Sequence, residues 1–271
     1  MKDLNKKIIL ILSLLALVLV SGCVSTETTS DPASPENVSL EITPITIKEF
    51  HEQDVSISVI NNDEQAIDDV KVTGFSPLSL TGTNSLNAPG KEAGNEAVRL
   101  VLNAKITAPA FDTETNESTL TVSYLSGMDE EGHQIVSTGS VPFDVTILPD
   151  AKLQFLGFVK DMDSLRTSAS QSWELKKGEN ATISFSVKNE GQTTISAEML
   201  TVVVDVDNKL IADQASMVVG QAMARKGTSY TKGLQIPIND DAPNGETDVT
   251  VSLMFGDNVI DQQQLLLTVK L

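Results

Sequence analysis

The stretch Thr182-Ile183-Ser184-Phe185-Ser186-Val187-Lys188-Asn189-Glu190-Gly191 alternates hydroxyl and apolar side chains and then breaks on an Asn-x-Gly turn. Successive side chains of a strand point to opposite sides, so this period of two describes a strand with one face in a core. The first half of the chain carries the same pattern. Ile57-Ser58-Val59-Ile60-Asn61 matches Phe185-Ser186-Val187-Lys188-Asn189, and Ile67 and Ile195 follow at the same distance. Further on, Leu120-Thr121-Val122-Ser123-Tyr124-Leu125-Ser126-Gly127 matches Val249-Thr250-Val251-Ser252-Leu253-Met254-Phe255-Gly256, with a spacing changed by one residue, as a loop insertion allows. Two matches in the same order define an internal repeat. The chain therefore reads as two copies of one β-sandwich, joined near Pro149-Asp150.

Other short β-rich runs fit this frame. Residues 98–102 and 143–147 are strand candidates in the first copy, and residues 200–204, 234–237, 249–253 and 265–269 in the second, each bounded by Gly, Asn, Asp or Pro. Asp207-Asn208 and Gly256-Asp257-Asn258 read as hairpin turns. Residues 212–225 fit either a short helix or an irregular edge strand, the second being preferred. Nothing long has a period of 3.6, so the fold class is all-β. The glycine-rich residues 74–94 read as the longest loop, and as either a contact surface or an ordinary connection.

The N-terminus reads as an address. Lys2, Lys6 and Lys7 precede the apolar residues 8–20, and Ser21-Gly22 supplies the small residues of a cleavage site. A helix over 8–20 is only about 20 Å long against a hydrocarbon core of about 30 Å, too short for a comfortable span. Extension through Val24 brings it closer, which keeps a retained N-terminal anchor as the alternative. Val20-Ser21-Gly22-Cys23 resembles a lipoprotein signal peptide. That resemblance implies that Cys23 becomes the first mature residue and carries a two-chain lipid, and two chains anchor a protein stably where one does not. Either way the body lies extracytoplasmically, on the outer face of the membrane. The expected organisation is leader 1–22, disordered Ser/Thr/Pro-rich tether 23–37, sandwich 38–149 and sandwich 150–271.

Composition agrees with such a protein. Removing leader and tether leaves about 230 residues, suited to two domains of about 110. Cys23 is the single cysteine, so no intramolecular disulfide is available and each domain depends on its core. The net charge is −18, and the leader's own +2 leaves the mature chain still more acidic. Such a surface repels nucleic acid and anionic membranes.

The second copy carries a family resemblance. Val187-Lys188-Asn189-Glu190-Gly191, the hairpin Val206-Asp207-Asn208-Lys209-Leu210-Ile211, then Ile236-Pro237 and Asp241-Ala242-Pro243-Asn244-Gly245 stand in order before Val249-Thr250-Val251. This order resembles the immunoglobulin-like modules of archaeal and bacterial surface proteins, the CARDB type and related S-layer-like repeats. In the first copy the likeness is diluted, because Asp63 stands where Gly191 stands and Ala108-Pro109 lacks the following glycine. The resemblance implies tandem seven-stranded sandwiches used for adhesion, spacing or partner binding. Its motifs are turn chemistry, which speaks to fold more than function.

Catalytic signals are sparse. His51 and His133 are distant singles, no G-x-S-x-G turn occurs, and Gly90-Lys91-Glu92 lacks the upstream glycine of a phosphate loop. No catalytic residue and no cofactor are assigned. Asp161 and Asp163 near the junction are weak calcium candidates, without the D-x-D-x-D-G register of a dedicated loop. Aromatic residues make up 4% of the chain, too few for sugar-stacking platforms once the cores are filled with Phe158, Phe185 and Phe255, and Trp173 reads as a semi-buried anchor. Three N-x-S/T sequons, at Asn37, Asn116 and Asn180, are glycosylation candidates. The expected function is a non-enzymatic, lipid-anchored surface module whose partner is another cell-envelope protein. The alternative is an accessory or substrate-receptor subunit of an exported or membrane complex such as a transporter.

Overall fold

The computed structural model describes residues 33–113, 117–159, 172–227 and 229–270. Cys23, Asn116, Asp161 and Asp163 lie outside the described residues. The described residues form one compact unit. It is all-β, with several sheets and, among the described residues, no α-helix.

Ten strands precede Pro149: β1 (Val38–Glu41), β2 (Ile45–Lys48), β3 (Glu52–Asn61), β4 (Ile67–Ser76), β5 (Ser79–Thr83), β6 (Leu86–Ala88), β7 (Val98–Thr107), β8 (Thr119–Met128), β9 (Gln134–Pro142) and β10 (Val145–Leu148). They form the sheets β1-β3-β7-β5 and β6-β4-β8-β9, with β2 running parallel to β10. Eight follow: β11 (Ala151–Val159), β12 (Ser172–Lys176), β13 (Asn180–Asn189), β14 (Leu200–Val206), β15 (Ala215–Val218), β16 (Ser229–Pro237), β17 (Gly245–Phe255) and β18 (Asn258–Lys270). They form β11-β13-β16 and β12-β18-β17-β14-β15, with β12 parallel to β18. No sheet joins strands from both sides of Pro149-Asp150. The pairings correspond: β1-β3-β7 with β11-β13-β16, and β4-β8-β9 with β14-β17-β18. The sequence repeat is therefore also a repeat of connectivity.

Alternation places the cores. Val55, Ile57 and Val59 of β3 and Val122 and Tyr124 of β8, in the other sheet, are buried in the first half's core, and Val202, Val204, Val251 and Leu253 are buried in the second. Strand β13 departs from simple alternation, since every residue from Ala181 to Val187 is buried. It is the central strand of three, and the residues alternating with its apolar ones, Thr182, Ser184 and Ser186, are small hydroxyl side chains.

Four expectations need correcting. Residues 74–94 are not a loop: they hold the end of β4 and the edge strands β5 and β6, because Leu80 and Leu86 each turn an apolar side chain toward the core. Asp207-Asn208 is not a two-residue hairpin; β14 next pairs with β15, Val204 lying opposite Ala215, so the connection is longer. The run 143–147 starts pairing only at Val145. Residues 33–37, assigned to the tether, pack on the first half: Ala33 is buried, its N–H donates to the Ser126 carbonyl (2.7 Å), and Pro35–Asn37 form a 3-10 turn. The edge-strand reading of 212–225 holds at β15, and Gly256-Asp257 does form a tight hairpin, with Phe255 opposite Asn258.

Candidate functional site

The repeated Asn is a buried turn anchor in both halves. Asn189 is fully buried at the end of β13; its amide donates to the carbonyls of Thr193 (2.9 Å), Met223 (3.0 Å) and Ala224 (3.3 Å), and its Oδ1 accepts from Gly191 N–H (2.9 Å). Asn61 does the same at the end of β3, donating to Gln65 (2.8 Å) and Pro89 (3.1 Å) and accepting from Asp63 N–H (3.0 Å). An amide supplies both donor and acceptor, which is what a turn with orphaned carbonyls and an orphaned N–H needs.

What stands two residues beyond the Asn differs, and the difference sets the junction. In the second half Gly191 leaves room for Glu49, which comes from the turn after β2. The Glu49 carboxylate is 1% exposed and accepts from Gln192 N–H (3.1 Å), Thr193 N–H (3.3 Å), the Thr193 hydroxyl and Phe111 N–H (3.4 Å). A Cβ on residue 191 would lie 2.0 Å from Glu49 Oε1. Beside it Phe111 meets Phe255 edge to face, with centroids 5.7 Å apart. Asp150 closes the other side: its carbonyl accepts from Glu190 and Gly191 N–H, and its carboxylate meets Lys48 Nζ and His51 Nε2, each at 3.3 Å.

In the first half the corresponding Asp63 receives the N-terminal segment. Its carboxylate accepts from Asn37 Nδ2 (3.0 Å), Ser34 N–H (2.9 Å) and Gln65 N–H (2.9 Å). The Asn37 amide, helped by backbone N–H groups, holds this carboxyl below the usual aspartate range against the opposing effect of burial. Sequon residue Asn37 is exposed yet engaged through its own amide nitrogen, while Asn180 is exposed at the start of β13. His133 is paired with Asp129 (3.2 Å) on an exposed turn, away from the junction.

Tyr124 lies in the first half's core with its hydroxyl buried and without a partner among the described residues. Burial, and then the charge of Asp63, push the phenol up to about 12. An unfolded tyrosine ionises near 10, so between these values only the unfolded chain releases its proton. Stability linked to Tyr124 is complete below about pH 10 and is lost as pH rises through about 12. Tyr124→Phe is expected to leave stability at pH 8 unchanged or slightly raised, since the hydroxyl makes no bond, and to lose less stability across the alkaline window. Denaturant melts of both proteins at pH 8 to 12 check this, and parallel losses would refute it.

Reactive geometry is not assembled elsewhere among the described residues. An open hollow of about 570 Å³ on β3, β5 and β7 is lined by Asp54, Thr83, Asn84, Asn103 and Lys105, amides and charges without a nucleophile–base pair. Among the described residues no group of three or more His, Cys, Asp or Glu is placed to hold a metal, and no helix is long and apolar enough to cross a membrane.

Glu49 was not singled out by the sequence, although one signal existed. The turn Lys48-Glu49-Phe50-His51 precedes β3 as Lys176-Lys177-Gly178-Glu179 precedes β13, and Phe50 occupies the position of a glycine. A bulky residue there flags a turn kept for something besides turning.

Fold and junction together define an all-β protein of two internally similar, directly packed halves. No family model matches the chain, and no curated protein matches it. Among solved structures it is similar to a red sea bream transglutaminase (TM-score 0.36, 12% identity, 87% of this chain covered), of which it spans only 31%. It is also similar to a protein of unknown function from Porphyromonas gingivalis W83 (TM-score 0.28, 13% identity), covering 87% of this chain and 100% of that one. Likeness at this level assigns neither family nor activity.

Proposed function

We propose that this chain is a non-enzymatic surface lipoprotein in which Cys23 carries the membrane anchor and two tandem immunoglobulin-like sandwiches act as a structural, adhesion or partner-binding module. The observation that carries the reading is the leader: three lysines, an apolar run too short to span comfortably, and small residues closing on the sole cysteine. The matching connectivity of the halves, each with its second strand parallel to its last, supports the immunoglobulin-like assignment and the resemblance to CARDB-type modules. The junction supports a structural role over ligand reception, because Glu49, Phe111 and Phe255 fill it. A second envelope protein is the expected partner.

Cys23→Ser tests the anchor. The wild-type protein is expected in the membrane fraction with a lipid-modified N-terminal peptide by mass spectrometry. The variant is expected to be released or to retain its leader. An unmodified Cys23 with an unchanged membrane fraction would show that the leader is instead kept as a helix.

A further inference from the structure

We infer that Glu49 and Phe111 form a dedicated lock that makes the two halves move as one rigid body, and that this pairing surface is specific to their junction. Domains in one chain ordinarily move relative to each other unless their interface is large and apolar. Here the restraint comes from a buried carboxylate instead. Four donors converge on Glu49: three come from residues 192 and 193 of the second half, and the fourth is the N–H of Phe111 in its own half. Charge-assisted bonds of this kind are about twice as strong as neutral ones, and a buried carboxylate stripped of its donors is costly, so the socket cannot open cheaply. The connection has no slack, because only Pro149 and Asp150 separate β10 from β11 and Asp150 is bonded on both sides.

The internal repeat shows which of these features belong to the fold and which to the junction. The turn is common to both halves: His51 N–H donates to the Lys48 carbonyl (3.2 Å), as Glu179 N–H does to Lys176 (3.1 Å). Ala108 N–H then meets His51, as Ile238 N–H meets Glu179. Within this shared frame Glu49 becomes Lys177 and Phe50 becomes Gly178, and three residues past the second bridge Phe111 becomes the exposed Asp241. The second half's corresponding end thus carries charged, solvent-facing residues in place of Glu49 and Phe111. At the receiving end, Gly191 becomes Asp63 and Phe255 becomes Ser126, and both contact residues 33–37. Only one end of each half is built for the other. Phe50 adds a third sign: it holds φ at +57° where its counterpart is a glycine, a strain that persists where the surroundings fix it.

The inference does not depend on the lipid anchor, so its test can dispense with Cys23. Nitroxide labels at the exposed positions Val101→Cys and Leu210→Cys, in a full-length Cys23→Ser chain in detergent, report the distance between halves by pulsed electron resonance. With the native junction a single narrow distribution is expected. Glu49→Ala is expected to widen it at least twofold. Glu49→Gln, which keeps the volume but sets an amide donor against N–H and O–H donors, and Gly191→Ala, which evicts the carboxylate from the other side, are expected to widen it too. Lys177→Ala is expected to leave it unchanged. A broad distribution with the native junction, or folded Glu49→Gln and Gly191→Ala proteins as narrow as the parent, would overturn the lock.

Discussion

Asn189→Asp is expected to destabilise the protein by about 4 kcal/mol, and Asn189→Ala by about 3. The order is the informative part, because aspartate is nearly isosteric with asparagine and would be the milder change if packing alone mattered. The amide of Asn189 faces three carbonyl oxygens. Alanine removes its donors, leaving the Ala224 and Thr193 carbonyls short of partners, while Met223 keeps the N–H of Ile195 and Gly191 keeps Asp150. Aspartate goes further, setting an acceptor against acceptors in a site without solvent. Either it stays protonated at a cost or it repels the turn. Urea unfolding of the full chain followed by the fluorescence of Trp173, its only tryptophan, measures both values. Asn189→Asp proving as stable as the parent, or more stable than Asn189→Ala, would contradict this account. Asn61, with two carbonyl partners instead of three, is expected to show the same order with smaller losses.

The same asparagine shows how much was legible in the sequence. Alternation found the strand, and the V-x-N motif found the turn, because both are local consequences of backbone geometry. Repetition of the motif pointed to a repeated strand order, and the sheets on either side of Pro149 carry one. What alternation missed were contacts made across the chain. Edge strands β5 and β6 lie in a stretch rich in glycine and proline, whose pairing is dictated by neighbouring strands rather than by their own propensity. Glu49 looked like one carboxylate among 37 acidic residues; Phe50 in a glycine's place marks its turn, but the approach of Gly191 from the other half is what sets the carboxylate itself apart. The docking of residues 33–37 escaped for a related reason. Ala33 and Ser34 are held through backbone groups, and backbone bonds leave almost no trace in residue type.

Gly90→Ala is expected to cost about 3 to 4 kcal/mol, the largest loss from a single methyl group in the first half. A Cβ at this position would lie 1.9 Å from the carbonyl oxygen of Glu64 and 2.5 Å from its carbon. Both are backbone atoms of the turn anchored by Asn61, so no rotamer change relieves the overlap. The two segments must separate, and the bonds that hold them lie on either side of the clash: Asn61 Nδ2 to the Pro89 carbonyl (3.1 Å) and Lys91 N–H to the Asp63 carbonyl (2.7 Å). One methyl group therefore threatens the turn, its buried amide and the Asp63 carboxylate that receives residues 33–37. Gly220→Ala is the matched control, since nothing lies within 4 Å of the added atom, and its melting curve is expected to superimpose on the parent's. Protease sensitivity separates the consequences: Gly90→Ala should expose residues 33–37 to cleavage well before the second half, because the turn it disrupts is the one those residues rest on. If Gly90→Ala melts with Gly220→Ala, Gly90 and Glu64 are not in backbone contact.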